Sequence, residues 1–356
     1  MAKSFYLIII FFATPFFGVA QQEDSSKQKD LVISGFTDIY YQYDFDDPVN
    51  KKRPDYIFNH KRHNEPNLNL ALLHASLNKN KLRANLGLMA GNYAQYNLAA
   101  EPGWAQYIFE ANLGYAFSEK FSVDAGILPS HLGLESAISK ENWNLSRSLL
   151  AENSPYYETG VKLNFTPNDK WTFSFLGLNG WQHIKDNNSS LAMGTQVQFK
   201  PNEKWLFNSS TFIGNEKPDP VKQLRVFHNF YTSYTINKKL NAFFYFDFGF
   251  EERLNSGGAD KWWGILWKLQ WKACKNFNTA FRYEYFNDPA EIIISHTSTN
   301  GIKLSGFSAN IDWQITKNVL WRNELKLFHA ADNIFTKDNL SKRNNSSFLS
   351  SLALWF

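Results

Sequence analysis

The stretch NAFFYFDFGF, residues 241–250, places phenylalanines on alternate positions and an aspartate between two of them. Successive side chains of a β-strand point to opposite faces, so the stretch predicts one apolar face and one face that contains Asp247. A transmembrane helix needs about 20 apolar residues, roughly twice the length of this run. The run therefore indicates a strand, either in a soluble sheet or in a membrane barrel. The phenylalanines on the apolar face are Phe244, Phe246, Phe248 and Phe250.

The same alternation recurs in other segments of about ten residues. The chain is rich in aromatic residues (17%), yet 20% of it is charged, a balance typical of strands that are apolar outside and polar inside. The apolar and polar positions oppose each other as follows: Leu82, Ala84, Leu86 and Leu88 against Arg83 and Asn85; Tyr157, Val161, Leu163 and Phe165 against Glu158, Lys162 and Asn164; Leu191, Met193, Val197 and Phe199 against Gln196, Gln198 and Lys200; Trp263, Ile265, Trp267, Leu269 and Trp271 against Lys268, Gln270 and Lys272.

Connections between these segments alternate in length. Seven are tight and polar: 78–81, 118–120, 166–170, 200–204, 235–239, 274–276 and 316–318. Eight are long: 44–66, 92–106, 129–155, 180–190, 215–222, 252–260, 287–298 and 329–346. Short turns on one side and long loops on the other are typical of outer-membrane barrels. We predict an all-β, transmembrane antiparallel barrel of sixteen strands with short periplasmic turns and long extracellular loops; fourteen and eighteen strands are the alternatives.

The N-terminal segment predicts export. Lys3, the apolar run 5–12 and small residues before position 21 form a signal peptide over 1–20, cleaved after Ala20. An uncleaved membrane anchor is the alternative. Residues 21–30 are expected to be a disordered leader and 31–356 the barrel, in the outer membrane of a Gram-negative bacterium, surrounded by lipid and lipopolysaccharide. With Cys274 as its only cysteine, the chain has no internal disulfide.

Aromatic residues mark the predicted turn side and the C-terminus. FTPNDKWTF (165–173) and FKPNEKWLF (199–207) repeat one turn, which places Trp171 and Trp205 at the height of an aromatic girdle. The last segment, FLSSLALWF, ends on Phe356. An aromatic terminal residue resembles the signal by which the barrel-assembly machinery recognises its substrates, so this machinery is an expected partner.

Four stretches, in order, resemble the OmpL-like β-barrel porin family of Gram-negative bacteria. They are SGFTDIYYQYDFDDP (34–48), ENWNLSRSLL (141–150), LGLNGWQ (176–182) and FRYEYFNDP (281–289). The resemblance covers residues 31–356. It implies a pore-forming outer-membrane barrel and supplies no catalytic residues.

The third long loop, 129–155, contains the candidate constriction. In general porins the third loop often folds inward, and we expect this loop to narrow the pore in the same way, with Glu141 and Arg147 setting ion selectivity. A loop packed on the rim is the alternative. The residues expected at the constriction are Glu135, Lys140, Glu141, Trp143 and Arg147.

Charged strand residues are expected to face the lumen, since a charge on the lipid face costs about 2–4 kcal/mol at mid-bilayer. They either form a transverse field that sorts solutes or pair into a network that holds the wall. The mixed signs favour weak selectivity. The set is Arg83, Asp124, Glu158, Lys162, Arg225, Asp247, Lys268, Arg282, Glu284, Arg322, Glu324 and Lys326.

The predicted function is a porin that passes small hydrophilic solutes by diffusion through a water-filled lumen. A substrate-specific channel with an aromatic track through Trp143 and Trp181, and a closed barrel whose loops act as an adhesin, are the alternatives. The basic motif HKRH (60–63) is read as an exposed loop that could face acidic polysaccharide. No nucleophile, metal or phosphate motif occurs, so we expect no enzyme, metal, cofactor or nucleic-acid partner. A homotrimer remains open.

Overall fold

A computed structural model describes residues 30–254, 256–296, 298 and 300–356. The predicted signal peptide (1–20) and the leader up to residue 29 lie outside the described residues. Within the described residues, sixteen strands close into one antiparallel barrel, in the order β1-β18-β15-β14-β13-β12-β11-β10-β9-β8-β7-β6-β5-β4-β3-β2. The prediction of a sixteen-strand antiparallel barrel is confirmed.

The barrel strands follow the period-two segments closely, and β16 and β17 form a separate small hairpin in the last long loop. The strands are β1 (Leu31–Asp44), β2 (Pro66–Lys79), β3 (Leu82–Ala90), β4 (Ile108–Ala116), β5 (Phe121–Pro129), β6 (Tyr157–Asn168), β7 (Trp171–Leu178), β8 (Ala192–Asn202), β9 (Trp205–Asn215), β10 (Leu224–Thr235), β11 (Leu240–Glu252), β12 (Ala259–Lys272), β13 (Phe277–Asp288), β14 (Ile302–Thr316), β15 (Val319–Ala330), β16 (Phe335–Lys337), β17 (Leu340–Lys342) and β18 (Asn344–Trp355).

In the part of the chain that the structure describes, helical structure is confined to the loops. Two short α-helices, α1 (Asn92–Asn97) and α2 (Leu149–Glu152), lie in the second and third long loops, together with 3₁₀ turns at Ala105–Tyr107 and Ser139–Glu141. Of the helices in the described ranges, none has the length and apolar character needed to cross a membrane.

The pairing of β1 with β18 closes the barrel and sets which end each loop occupies. Phe36 lies opposite Trp355, and Tyr43 lies opposite Phe348. Both ends of the barrel chain therefore lie on the side of the short turns, as predicted. The long loops all emerge at the other end, which we call the loop end.

The opening stretch adopts the predicted alternation. On β11 the row of Phe244, Phe246, Phe248 and Phe250 is partly exposed on the outside, while Asp247 points inward and is only 2% exposed. Neighbouring Trp267 is 54% exposed on the same outer surface and packs against Phe244. Closure leaves no unpaired strand edge, which is what allows a sheet to exist in hydrocarbon.

Two expectations about single positions need correction. Tyr157 begins β6 on the outward parity, yet it is buried because the second and fourth long loops cover it: its hydroxyl bonds Glu101 at 2.9 Å, and Glu101 also accepts from the Ile184 amide. Asp247 was expected to face a wet lumen. It faces the lumen but is buried, and it accepts a hydrogen bond from Asn229 at 2.7 Å.

The aromatic residues beyond the short turns form stacked rows on the outer surface. Trp171 stacks on Phe199 with ring centroids 4.1 Å apart, and Trp205 stacks on Tyr234 at 4.0 Å. Such rings suit the boundary between lipid and water, because one side of the ring meets hydrocarbon and the other meets polar groups.

An apolar core occupies the lumen towards the loop end. Leu149 and Leu150 of the third long loop and Ile57 of the first pack against Trp262 and Leu266, which point inward from β12. This core explains why Asp247 is dry: the loops replace water as the neighbours of the inner wall.

Candidate functional site: the lumen and its third loop

The third long loop spans 130–156 and is called loop 3 below. It leaves β5 and crosses the lumen to β13, where the Leu149 amide donates to the Glu284 carboxylate at 2.7 Å. In the ring of sixteen strands β5 and β13 are eight places apart in either direction, so they lie diametrically opposite. Loop 3 therefore divides the lumen.

Loop 3 ends its crossing on one side of the barrel, which we call the charged wall. The charged wall consists of inward residues on β12 to β15: Lys268, Arg282, Glu284, Asp312, Arg322, Glu324 and Lys326.

Arg322 makes the largest set of contacts with loop 3. Its guanidinium donates to the backbone oxygens of Asn142 and Trp143, both at 3.0 Å, and to that of Ser139. Asp312 accepts two further bonds from it at 2.9 Å. A planar guanidinium suits this role because it presents five donors in a fixed geometry.

The remaining residues of the charged wall hold the next turn of loop 3. Arg282 donates to the Ser146 oxygen at 2.7 Å, and Glu324 accepts from the Ser146 amide at 2.8 Å. Lys326 donates to the Arg147 oxygen at 3.1 Å and pairs with Glu284 at 3.0 Å. Buried charges and backbone groups need partners, and here each supplies the other.

The residues predicted at the constriction have different environments within loop 3. Glu135 forms an ion pair with Lys268 and accepts from the Ser148 amide at 2.8 Å. Trp143 packs edge-on against Phe243, with ring centroids 6.0 Å apart. Their side chains hold loop 3 to the β11–β12 part of the wall.

Lys140, Glu141 and Arg147 complete that set. The Lys140 ammonium lies 4.8 Å from the centre of the Trp355 ring, and Glu141 is exposed in the lumen. Arg147, by contrast, is buried: its guanidinium lies 3.2 Å above the Tyr156 ring, and burial lowers its pKa to about 10. Of the two residues expected to set selectivity, Glu141 meets solvent and Arg147 does not.

The rest of the lumen wall also carries charges, and most of them are paired within the wall. Arg83 binds Asp124 at 2.7 Å, and Arg225 binds Glu251 at 2.6 Å. Glu158 binds His131, the first part of loop 3, at 2.8 Å. All twelve charges predicted to face the lumen lie on the inward parity of their strands.

Two neighbouring cavities of about 400 Å³ each lie beside loop 3, away from the charged wall. The first is lined by Lys162, Gln198 and Tyr231, and we call it the Lys162 cavity. The second is lined by His74, Glu110, Lys140, Glu141 and Trp355. Both cavities share three lining residues, Phe109, Pro129 and Ser136.

The first long loop, 45–65, closes over loop 3. The Phe58 amide donates to Glu152 at 2.9 Å, and His60 pairs with Asp38 at 3.1 Å. The expectation of an exposed basic loop is wrong, because His60, Lys61 and His63 are buried. Burial lowers the Lys61 pKa to about 8.

Sequence reasoning missed several contacts that organise the lumen. Asp312 orients Arg322, Asn310 bonds Asn144 at 2.9 Å, and His131 anchors the start of loop 3. The inward parity of Asn310 and Asp312 was readable in β14, but the contacts of Asn310 with Asn144 and of His131 with Glu158 involve a loop with no period.

The family of the chain follows from its match to one family model. The model, described as "Putative beta-barrel porin-2, OmpL-like", matches residues 30–356. The chain belongs to this porin family. No curated protein matches it.

Three solved structures similar to this chain are porins or outer-membrane channels of low sequence identity. The outer membrane channel DcaP of Acinetobacter baumannii has a TM-score of 0.62 at 10% identity, covering 92% of this chain and 97% of that one. An anion-selective porin from Comamonas acidovorans gives 0.59 at 9%, covering 92% and 99%. OmpT of Vibrio cholerae, in its trimer form, gives 0.60 at 10%, covering 92% and 99%. At such identities the likeness establishes the fold alone.

Proposed function

We propose that this chain is an outer-membrane porin that passes small hydrophilic solutes by diffusion, through a passage narrowed by loop 3. The position of loop 3 carries the proposal. It crosses the lumen, is held by the charged wall, and leaves the two neighbouring cavities on its other side. Solutes would follow that side, past Ser136 of loop 3 and Phe109 of β4.

The mixed charge of the passage supports weak ion selectivity. Lys140 and Glu141 line the second cavity and Lys162 lines the first. The residues of the charged wall are paired with each other and with loop 3, so their electric fields largely cancel at the passage. We therefore assign selectivity to the cavity side, and we assign the charged wall to holding loop 3.

Location and assembly follow from the family and are part of the proposal. The outer surface, with its exposed Trp267 and Phe281, meets lipid and lipopolysaccharide in a Gram-negative outer membrane. The barrel-assembly machinery would recognise the last strand through Phe356. A homotrimer is supported by the trimer form of OmpT, and light scattering of the purified barrel would give the subunit number.

A closed barrel whose loops bind a partner is the second candidate function. It is favoured by the packing at the loop end, where loop 3 and the first long loop meet through Glu152 and bury Tyr56 and Ile57. Such a barrel would fold and insert but conduct no ions.

Planar-bilayer recording separates the two functions. The refolded protein should show discrete channel openings, with a small reversal potential under a salt gradient. Heat-modifiable migration on gels provides the control for folding. Folded, inserted protein without openings would refute the porin and leave the closed barrel.

A further inference from the structure

The Lys162 cavity holds a cation that lacks a direct partner. Lys162 points inward from β6, and the structure records no hydrogen bond or ion pair for its ammonium anywhere in the described part of the chain. Lys268 and Lys326, the two buried lysines of the charged wall, are both paired with glutamates. An enclosed charge without a partner is costly, so such a position calls for a ligand or for water.

The acidic residues nearest to Lys162 are engaged elsewhere. Asp124 lies opposite it on β5, but its carboxylate binds Arg83 at 2.7 Å and Asn164 at 2.9 Å. Glu158, two inward positions away on β6, binds His131 and Ser130.

Glu135 also lines the Lys162 cavity, and it too is engaged. Its carboxylate pairs with Lys268 and accepts from both the amide and the hydroxyl of Ser148. Asp124 and Glu158 therefore act on the Lys162 ammonium only through space, and within the described residues no side chain bonds it directly.

Neutral donors line the same cavity. Gln198 donates to the Tyr231 hydroxyl at 3.3 Å, so the O–H of Tyr231 is free to donate, and both residues line the cavity with Lys162. An ammonium, a phenol and an amide together suit a carboxylate, which accepts several hydrogen bonds.

The same cavity has an apolar side. Leu134 of loop 3 is 49% exposed there, next to Leu132 and Phe109. A volume of about 400 Å³ falls within the range of small-molecule sites, which are mostly apolar with a few placed polar groups.

We propose that the Lys162 cavity is a binding subsite for a small organic carboxylate with an apolar or aromatic body. The carboxylate binds Lys162, Tyr231 and Gln198, and the body covers Leu134. The subsite deepens the proposed function, since it would select among solutes that pass loop 3. Binding itself does not require that the barrel conducts.

Calorimetric titration of the full chain, folded in detergent micelles, tests the proposal. Benzoate is the probe, and benzamide has the same shape without the charge. Benzoate should bind and benzamide should not. Lys162→Met should weaken benzoate binding about tenfold to a hundredfold, because a hydrogen bond to a charged group contributes about 1.5–3 kcal/mol. Lys81→Met, on the exposed turn after β2, should leave binding unchanged.

Gln198→Leu provides a second variant should Lys162→Met fail to fold, and it should weaken binding about fivefold through the loss of one neutral hydrogen bond. Absent benzoate binding, equal binding of benzamide, or full affinity in the folded Lys162 variant would overturn the subsite. A barrel that binds benzoate but shows no channel openings would refute the porin function and support the subsite. A barrel that conducts but binds no benzoate would refute the subsite and support the porin function.

Discussion

The two sides of the lumen carry similar charged and polar residues, but these residues have different roles on each side. On the charged wall, Arg322 and Glu324 form hydrogen bonds with the backbone of loop 3. On the other side, Lys162 and Gln198 line the open Lys162 cavity. A lumen-facing charge therefore does not by itself indicate a role in permeation. Its role in permeation depends on whether loop 3 covers the charge.

The difference also explains how a polar wall and a dry core coexist. Loop 3 brings carbonyl and amide groups that satisfy the charged wall, together with Leu149 and Leu150, which fill the volume. The cavity side is lined by the two ends of loop 3, 130–141 and 155–156, and the first of these is anchored at His131. The predictions below test this division, from the largest expected effect to the smallest.

Arg322→Met should have the largest effect. The change takes the arginine donor from the Asn142 carbonyl and one of two donors from the carbonyls of Ser139 and Trp143. It also leaves the buried Asp312 carboxylate without its cation, and breaking a buried pair costs about 3–5 kcal/mol. Loop 3 should detach, and single-channel conductance should rise. Arg253→Met is the matched control, because Arg253 is exposed on the sixth long loop and should not alter conductance. Unchanged conductance in the folded Arg322 variant would show that Arg322 does not hold loop 3.

The pair of Glu135 and Lys268 allows a charge swap. Glu135→Lys places two cations together and should free the start of loop 3, since breaking a buried pair costs about 3–5 kcal/mol. Adding Lys268→Glu should restore both the conductance and the resistance of loop 3 to protease. If the double variant behaves like the single one, the contact between these two residues is not what secures the loop.

Gly264→Val tests packing rather than charge. A Cβ at Gly264 would lie 2.8 Å from Leu150, so α2 must move away from β12. Overpacking of this kind costs about 1–3 kcal/mol and should lower the denaturant midpoint of the folded barrel. Gly177→Val is the control on another strand, where the nearest atom lies 3.9 Å from the added Cβ. Equal midpoints for the two variants would contradict the close packing of α2 on the charged wall.

The smallest expected effect concerns the loop above the cavity side. Glu216, 3.3 Å from His183, raises the pKa of His183. The contact therefore stabilises the loop 179–191 at low pH, and this stability is lost as the pH rises through the folded-state pKa. Hydrogen exchange of the loop, corrected for its intrinsic rate, should show more protection at pH 5 than at pH 8. The difference should vanish in His183→Gln, and its persistence there would assign it to another group.

The sequence was a good guide to the barrel wall because the wall is periodic. Alternation in residues 241–250 and 262–272 predicted which side chains face outward, and the spacing of turns predicted sixteen strands. Membrane strands leave little freedom, since each backbone group must find a partner in a neighbouring strand.

The lumen was predicted only in part because loops have no period. Parity placed Asp247 inward, but nothing in the strand indicated that loop 3 would bury it. Arg147 was expected to meet solvent and instead stacks on Tyr156. The partner of a charge depends on contacts across more than a hundred residues, as between Arg322 and Asn142, and these are set by the folded loop.

Cysteine accessibility in a conducting channel tests the division of the lumen most directly. In a Cys274→Ser background, Gln198→Cys would lie in the Lys162 cavity and Ser308→Cys on the charged wall, where Ser308 is buried against Arg282. A charged thiol reagent should reduce the current through the Gln198 variant and leave the Ser308 variant unaffected. Rapid block through Ser308→Cys with none through Gln198→Cys would place the passage on the charged wall and contradict the account.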